Sequence, residues 1–365
     1  MNRNIFSAAQ AEAVSHCIRQ RIPFAIFFEP GSDTGSFYAT DLSVDADVNR
    51  FCNKSAKESF AVSMFAQSDR CVVIDKKYDE QSVLNLASVP AVSEAEQSYP
   101  VSTVTYYMYS KYVGKTIVSL HETGGKLVLA RVIACKGGGP IEVARHYFPR
   151  FPQSFRYIYY TPQTGLWLGA TPETLIEYDY GRMTAESMSL AGTRAAGCSE
   201  AWDSKNSAEH DFVTRHIKRV FEKYGENVKV SPPCELNFGE IEHLCEFISA
   251  TRVTNPGDMI AELSPTPAVC GTVPDSAKVI SSLEPFDRSC YGGWLGVKRE
   301  SGLRTFVNLR CAKAIAKDGD KHDYIVFAGG GITADSIVGQ EWEETIKKSQ
   351  PLLTSIAKTH YEEHR

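Results

Sequence analysis

The chain has 365 residues, of which 43% are hydrophobic and 23% are charged, and its formal net charge is −5. Such a composition is typical of a folded globular protein with one large domain or two smaller ones. The negative charge argues against a nucleic-acid partner, and the longest apolar runs are too short to cross a membrane. The first twenty residues lack the apolar core of a secretion signal, so we expect an amphipathic helix there.

The ten cysteines are scattered along the chain and never form a CxxC pair, which argues against a zinc site. Most of them follow apolar residues, as buried free thiols do. A chain of this length does not need disulfides, so we expect the protein to work in the reduced cytoplasm.

The first hundred residues predict a helix and then two strands, FAIFFE and RCVVID, separated by a polar loop. The stretch ASVPAVSEAEQSYP that follows is rich in Ser, Ala, Glu and Pro. We interpret it as a linker that leads into the larger part of the chain.

Residues 103–125 predict a helical region that ends at a glycine pair, and residues 126–134 predict a short apolar strand. Residues 156–194 alternate like strands joined by tight turns, and residues 206–225 predict an amphipathic helix followed by Gly225. Residues 292–330 predict a meander of three strands, with turns at ESG and KDGD. Helices mixed with antiparallel strands indicate an α+β protein whose catalytic part, residues 101–365, belongs to one large domain.

Three residues could carry chemistry, although each also has a simpler interpretation. Lys126 opens an apolar strand, where most lysines are solvated, but a lysine in an apolar pocket can act as a general base. Glu173 follows a proline, where a turn or N-cap acid is the commoner role. Arg310 is predicted in mid-strand, where its charge needs an internal acid or a ligand carboxylate.

Three acids and a histidine form a second group of candidates. Glu209 lies on the apolar side of its predicted helix, and Glu341 and Glu344 are three residues apart on another. A solvated helix start explains the last two most simply. Carboxylates from two helices would nevertheless suit Mg²⁺. His243 is more often a core residue than a ligand.

The glycine runs do not match a known phosphate-binding motif. AGGGI lacks the GxGxxG of a dinucleotide site, and KGGGP lacks the GK[ST] of a P-loop. A glycine run after a strand can still present backbone N–H groups to an anion.

The order of the motifs is more informative than any one of them. KLVLAR, LGATPETL, SLAGTR, AEHDFV, LSPTPAVCG, LEPFDRSCYGGWLG, VNLRCAK, FAGGGI and EWEETIKK follow one another along the chain. In this the sequence resembles the chorismate-utilising enzymes, which include isochorismate synthase, salicylate synthase, anthranilate synthase component I and aminodeoxychorismate synthase component I. The resemblance covers about residues 100–355, and residues 1–100 match only loosely. It implies an α+β fold of two large packed β-sheets with outer helices and a site in the cleft between the sheets.

Within that family the sequence is most similar to isochorismate synthase. Lys126 stands where that enzyme has its water-activating lysine and anthranilate synthases have glutamine. Ala191 stands where aminodeoxychorismate synthases have a nucleophilic lysine, and Ala268 where salicylate synthases typically have threonine. Ser189 departs from the proline of many relatives.

The resemblance also implies roles for the candidate residues. Lys126 would activate the water that attacks ring C2 of chorismate, and Glu173, kept protonated by burial, would donate a proton to the departing C4 hydroxyl. The cofactor would be Mg²⁺, bound by Glu209 and Glu344, with Glu341 beside them as an outer ligand. The remaining positions that would contact substrate are Gly192, Thr193, His243, Ala268, Arg310, Gly329, Gly331 and Lys348.

Other activities stay open at this point: a salicylate synthase, a glutamine- or ammonia-dependent chorismate aminase, or a non-catalytic relative that only binds an anion. The expected partner is the small molecule chorismate, with no nucleic acid, no membrane and no obligatory protein partner, so a monomer or weak dimer is expected. The sequence leaves open whether the product feeds menaquinone, siderophore or salicylate synthesis.

Overall fold

The computed structural model describes residues 5–87, 102–239, 241–317 and 321–362. The predicted linker before residue 101 falls almost wholly outside these ranges, as does most of the predicted KDGD turn. No helix in the described ranges is both long and apolar enough to span a membrane.

Within these ranges the chain forms eight α-helices and seventeen strands. The helices are α1 (Ala8–Gln20), α2 (Val48–Cys52), α3 (Tyr106–Thr123), α4 (Pro140–Tyr147), α5 (Ser204–Tyr224), α6 (Pro256–Leu263), α7 (Ser276–Leu283) and α8 (Val338–Glu362). The strands are β1 (Phe24–Phe28), β2 (Ser36–Ala39), β3 (Val44–Asp47), β4 (Ser59–Val62), β5 (Arg70–Asp75), β6 (Leu127–Gly137), β7 (Phe155–Thr161), β8 (Gly165–Thr171), β9 (Thr174–Asp179), β10 (Thr184–Ala195), β11 (Glu226–Val230), β12 (Cys234–Phe238), β13 (Ile241–Thr251), β14 (Trp294–Lys298), β15 (Gly302–Val307), β16 (Cys311–Ala316) and β17 (His322–Ile332).

The strands form two antiparallel sheets. The seven-stranded sheet has the order β2-β1-β7-β8-β16-β17-β6. The ten-stranded sheet has the order β11-β13-β10-β9-β15-β14-β4-β5-β3, and β12 pairs with β13. In the first sheet, β17 pairs with β6 along its whole length, which sets Gly329 opposite Ala130 and Gly331 opposite Val128. The glycine run therefore lies within a strand, not in a loop.

The main core lies between the two sheets. The rings of Phe155 and Phe306, one from each sheet, stack with centroids 4.1 Å apart, and Phe27 stacks on Phe60 at 5.9 Å. Helices α1, α4 and α8 pack on the outer face of the seven-stranded sheet. Helices α2, α5 and α6 pack on the outer face of the ten-stranded sheet. Both faces of the central strands are thus covered, whereas β11 and β12 are largely exposed. Strand β1 has all five residues buried and is a continuous apolar run, as a strand covered on both faces requires. The arrangement agrees with the predicted α+β fold.

The predicted three-stranded meander is wrong in one respect. The segment contains four strands, of which β14 and β15 belong to the ten-stranded sheet and β16 and β17 to the seven-stranded sheet. The chain crosses between the sheets at residues 308–310, where Asn308 N donates to Gly293 O at 2.8 Å and Asn308 Nδ2 donates to Cys290 O at 2.9 Å. Arg310 is therefore not in mid-strand, and its φ of 51° is left-handed. The apolar alternation continues through the crossing, so the pattern alone could not reveal it.

Candidate active site

An open cleft of about 690 Å³ lies where β6 and β17 of one sheet face β10 and β13 of the other. Twelve of the thirteen candidate residues line it: Lys126, Glu173, Gly192, Thr193, Glu209, His243, Ala268, Arg310, Gly329, Gly331, Glu344 and Lys348. Glu341 is buried behind the lining, next to Gly330. Residues from five elements (β10, α5, β13, β17 and α8) and from four connections between elements thus meet in one place.

Lys126 lies at the floor of the cleft, where it is only 2% exposed. Its Nζ is 3.6 Å from Glu209 Oε2, and its backbone N–H donates to Thr272 Oγ1 at 2.9 Å. A Cβ at Gly331 would come within 2.6 Å of Lys126 Cε and 2.9 Å of Glu209 Oε2. The glycine therefore makes room for the lysine and the carboxylate to approach the strand.

Glu173 lies between β8 and β9 and is 2% exposed. Burial raises the pKa of its carboxyl to about 8, and the positive charges of Lys126 and Lys348 oppose this only in part. Its Oε1 has no hydrogen-bond partner among the described residues. Near neutral pH the carboxyl is therefore protonated and can donate a proton into the cleft.

Arg310 and His243 form a fixed pair at another wall of the cleft. Arg310 Nη2 lies 3.3 Å from His243 Nε2, and His243 Nδ1 lies 2.7 Å from the carbonyl oxygen of Gly192. Burial lowers the pKa of His243 to about 3, and the charges of Arg310 and Lys348 add to the effect. The ring is therefore neutral, donating from Nδ1 and accepting at Nε2.

The guanidinium of Arg310 has capacity for a further partner. No acid in the described part of the chain forms a salt bridge with it, although it is only partly exposed. Of the two partners expected from the sequence, an internal acid and a ligand carboxylate, the geometry favours the ligand.

A β-bulge shapes the wall that carries Gly192 and Thr193. The register of β10 and β13 shifts between Ala191 and Arg194, and Gly192 has φ +75°. A Cβ there would lie 3.1 Å from Asn206 O, so only glycine fits without strain. Thr193 N donates to Asn206 Oδ1 at 2.8 Å, which leaves this N–H unavailable to a bound anion.

Three carboxylates, Glu209 from α5 and Glu341 and Glu344 from α8, surround the glycine run. We call them the acidic cluster. A Cβ at Gly330 would lie 3.3 Å from Glu341 Oε2 and 3.4 Å from Glu344 Oε1. Burial opposes ionisation of Glu344, but Lys348, whose Nζ is 2.5 Å from Glu344 Oε1, lowers the carboxyl pKa overall.

The sequence reasoning missed a lysine that contacts the acidic cluster. Lys205 Nζ is 2.6 Å from Glu341 Oε1 and 3.6 Å from Glu209 Oε1. Lys205 is four residues before Glu209, just ahead of the helix predicted for residues 206–225, and this spacing of a lysine and an acid was a usable signal. Together with Lys348, it offsets part of the negative charge of the acidic cluster, and Lys126 Nζ also lies 3.6 Å from Glu209 Oε2.

The acidic cluster fits Mg²⁺ as a partial site. The described residues contain no group of three His, Cys, Asp or Glu side chains that could hold a metal ion on their own. Mg²⁺, however, commonly takes one or two protein carboxylates and completes its shell with water and substrate oxygens. Glu209 Oε1 and Glu341 Oε2 are buried and have no hydrogen-bond partner in the described structure, so acceptor capacity remains.

Comparison with known proteins defines the class. Residues 46–357 match the model of a family described as chorismate binding enzyme, and the chain belongs to that family. It is 30% identical over 216 residues to isochorismate synthase MenF of Haemophilus influenzae, a match covering 56% of this chain and 49% of that protein. It is also 30% identical over 211 residues to anthranilate synthase component 1 of Pseudomonas aeruginosa, covering 52% and 41%. The chain thus spans about half or less of these two relatives.

The fold comparison agrees. The structure of the menaquinone-specific isochorismate synthase MenF from Escherichia coli superposes with a TM-score of 0.73 at 20% identity, covering 96% of this chain and 91% of that one. This likeness establishes the fold. The chain is 30% identical both to an isochorismate synthase and to an anthranilate synthase component. Overall sequence identity therefore does not decide between these activities, and the residues in the cleft have to do so.

Proposed function

We propose that the protein is a Mg²⁺-dependent isochorismate synthase of the cytoplasm, an isomerase that converts chorismate to isochorismate. One observation carries the proposal: a buried lysine, Lys126, and a protonated glutamic acid, Glu173, face the same cleft. Exchange of an allylic hydroxyl needs one base and one acid, and these two side chains supply them.

Anchoring of the substrate requires positive charge at two places, because chorismate carries two carboxylates. Arg310, oriented by neutral His243, is suited to hold the enolpyruvyl carboxylate with its two-pronged donor. Mg²⁺ bound by Glu209 and Glu344, with Glu341 as an outer ligand, would neutralise the ring carboxylate and help to orient the ring. Lys348, which lines the cleft, would lie near the same carboxylate.

The proton transfers follow from the positions of the two catalytic residues. Lys126, in its neutral form, takes a proton from the water that attacks C2, and a C2–O bond forms as the ring double bonds shift. Glu173 gives its proton to the C4 hydroxyl, which leaves as water. One water enters and one leaves, so the reaction is an isomerisation. Return of the proton from Lys126 to Glu173 restores the site.

The choice within the family rests on three positions. Lys126 favours water as the nucleophile, whereas glutamine at this position is typical of the anthranilate branch. Ala191 offers no nucleophilic side chain, and Ala268 lines the cleft without a hydroxyl. These residues support isochorismate synthase over the salicylate synthase and aminase alternatives. Conversion of chorismate to isochorismate by the purified protein is the test.

Replacing Arg310 with lysine should lower kcat/KM by about 10- to 100-fold, because lysine keeps the charge but loses the planar fork, and hydrogen bonds to charged groups contribute about 1.5–3 kcal/mol. Steady-state kinetics with chorismate measure the effect. Arg304→Lys is the matched control, since Arg304 pairs with Glu29 and Glu177 away from the cleft. Wild-type kinetics in Arg310→Lys would assign Arg310 a structural role.

Raising the pH through about 8 should reduce kcat, because Glu173 then loses the proton it must donate. The same ionisation affects stability. The folded-state pKa of Glu173 is above its unfolded value, so its contribution is fully present below the unfolded pKa and is lost as pH rises through about 8. The melting temperature of Glu173→Gln relative to wild type should therefore increase between pH 5 and pH 9. If the difference in melting temperature between Glu173→Gln and wild type does not change with pH, Glu173 does not lose a proton between pH 5 and pH 9, which would contradict its role as the acid.

A further inference from the structure

Lys205 places a positive charge of the protein itself against the acidic cluster. Its ammonium bridges two helices, because Glu209 belongs to α5 and Glu341 to α8. The side chain is only 25% exposed, so the contact is largely shielded from water. A partly buried contact of 2.6 Å is stronger than the exposed ion pairs elsewhere on α5.

Glu341 depends on this lysine. It is 1% exposed, and burial raises its pKa while Lys205 lowers it. Burial alone would lower the pKa of Lys205, but the charges of Glu341 and Glu209 raise it overall. Of the two Glu341 oxygens, Oε1 is occupied by Lys205 and Oε2 has no hydrogen-bond partner in the described structure.

A divalent cation at the acidic cluster would meet this ammonium as a competitor. Lys205 and Lys348 offset part of the negative charge of the three carboxylates, so less of that charge remains to attract a free metal ion. Lys205 also lies 3.6 Å from Glu209 Oε1, the buried oxygen with spare acceptor capacity. Two positive charges in one partly buried site repel each other strongly.

We propose, on the basis of the Mg²⁺ requirement proposed above, that Lys205 is a positioning residue that holds Glu341 out of the metal's direct coordination sphere and weakens binding of free Mg²⁺. Without Lys205, no ammonium would compete with the metal for the carboxylate oxygens of Glu209 and Glu341, so Mg²⁺ would bind more tightly. Lys205 therefore acts on the metal through Glu341 and Glu209, and need not touch the substrate.

The test is calorimetric titration of Mg²⁺ alone into the metal-free protein. Lys205→Met should bind Mg²⁺ about tenfold more tightly than wild type, or better, because one repelling charge is removed. Lys205→Arg keeps the charge and should stay close to wild type. Lys218→Met is the matched control, because Lys218 pairs with Glu222 at the same spacing on the exposed face of α5.

Thermal melting without metal provides a second readout. Lys205→Met should melt lower than wild type, since it leaves Glu341 buried and unpaired. The double variant Lys205→Met/Glu341→Gln should recover much of the lost melting temperature. If the single variant does not fold, the double variant takes its place in the Mg²⁺ titration. Its Mg²⁺ affinity should be no weaker than that of wild type, because Glu341 is not a direct ligand.

Unchanged or weaker Mg²⁺ binding by Lys205→Met would overturn the inference, as would a marked loss of affinity in the double variant. Either result leaves the proposed function intact if wild type still forms isochorismate. A wild-type protein that forms no isochorismate would instead contradict the proposed function, and the metal titration reports on Lys205 independently of turnover.

Discussion

Replacing Lys126 with alanine should reduce isochorismate formation by about 10²–10⁴-fold, the usual contribution of a general base. The fold should survive, because the side chain ends in the cleft and its partner Glu209 keeps a second cation, Lys205, at 3.6 Å. Chromatographic product assays and melting curves measure the two effects separately. Lys136→Ala is the matched control, since Lys136 is an exposed lysine of the same strand, β6.

Glu173→Gln completes that experiment from the acid side. The substitution keeps the shape of the side chain, removes the proton donor and leaves the acidic cluster untouched, so a loss of about 10²–10⁴-fold is expected again. A loss below about tenfold in either variant, with normal melting, would show that these residues are not the acid–base pair.

Removal of Mg²⁺ with excess EDTA should abolish turnover, and added Mg²⁺ should restore it. The physical reason is that the ring carboxylate would otherwise enter a cleft lined by Glu209 and Glu344 with no divalent positive charge to outweigh their repulsion. Glu344→Ala should likewise weaken chorismate binding, measured by calorimetry with Mg²⁺ present. Glu343→Ala, an exposed neighbour on α8, is the control. Full turnover in EDTA would contradict the metal site.

Much of the local structure could be predicted from the sequence, because it depends on local signals. Helix α5 has Asp203 as its N-cap, whose carboxylate accepts from Asn206 N at 2.7 Å, and its buried face carries Val213 and Ile217. Helix α3 ends at Gly124, as the glycine pair indicates. In the first hundred residues, by contrast, the four-residue strands β2, β3 and β4 were missed, because so short a segment shows no clear alternation.

The features that shape the cleft depend on distant contacts. The bulge at Gly192 depends on two distant segments, because β13 pairs with β10 on one side and the backbone of Asn206 packs against Gly192 on the other. The crossing at Asn308 is stabilised by carbonyls of Cys290 and Gly293, which nothing in the local pattern indicates. Grouping of the site residues came from the ordered motifs of a family, since hydrophobic periodicity does not show which strands meet.

Lys205 could be recognised only by combining its spacing in the sequence with the packing of the helices. Its spacing from Glu209 was visible in the sequence, but its stronger contact is with Glu341, 136 residues away in the chain. Only the packing of α5 near α8 at the glycine run of β17 reveals that Lys205 offsets part of the charge of the acidic cluster.

The most direct test of the account is to incubate the purified protein with chorismate and Mg²⁺ and to identify the product by chromatography and mass spectrometry, with a lactate dehydrogenase assay for pyruvate and a parallel reaction containing ammonium. An isochorismate synthase should form isochorismate, with no pyruvate and no aminated product. Salicylate with released pyruvate, an amino-chorismate product in ammonium, or unchanged chorismate would contradict this assignment.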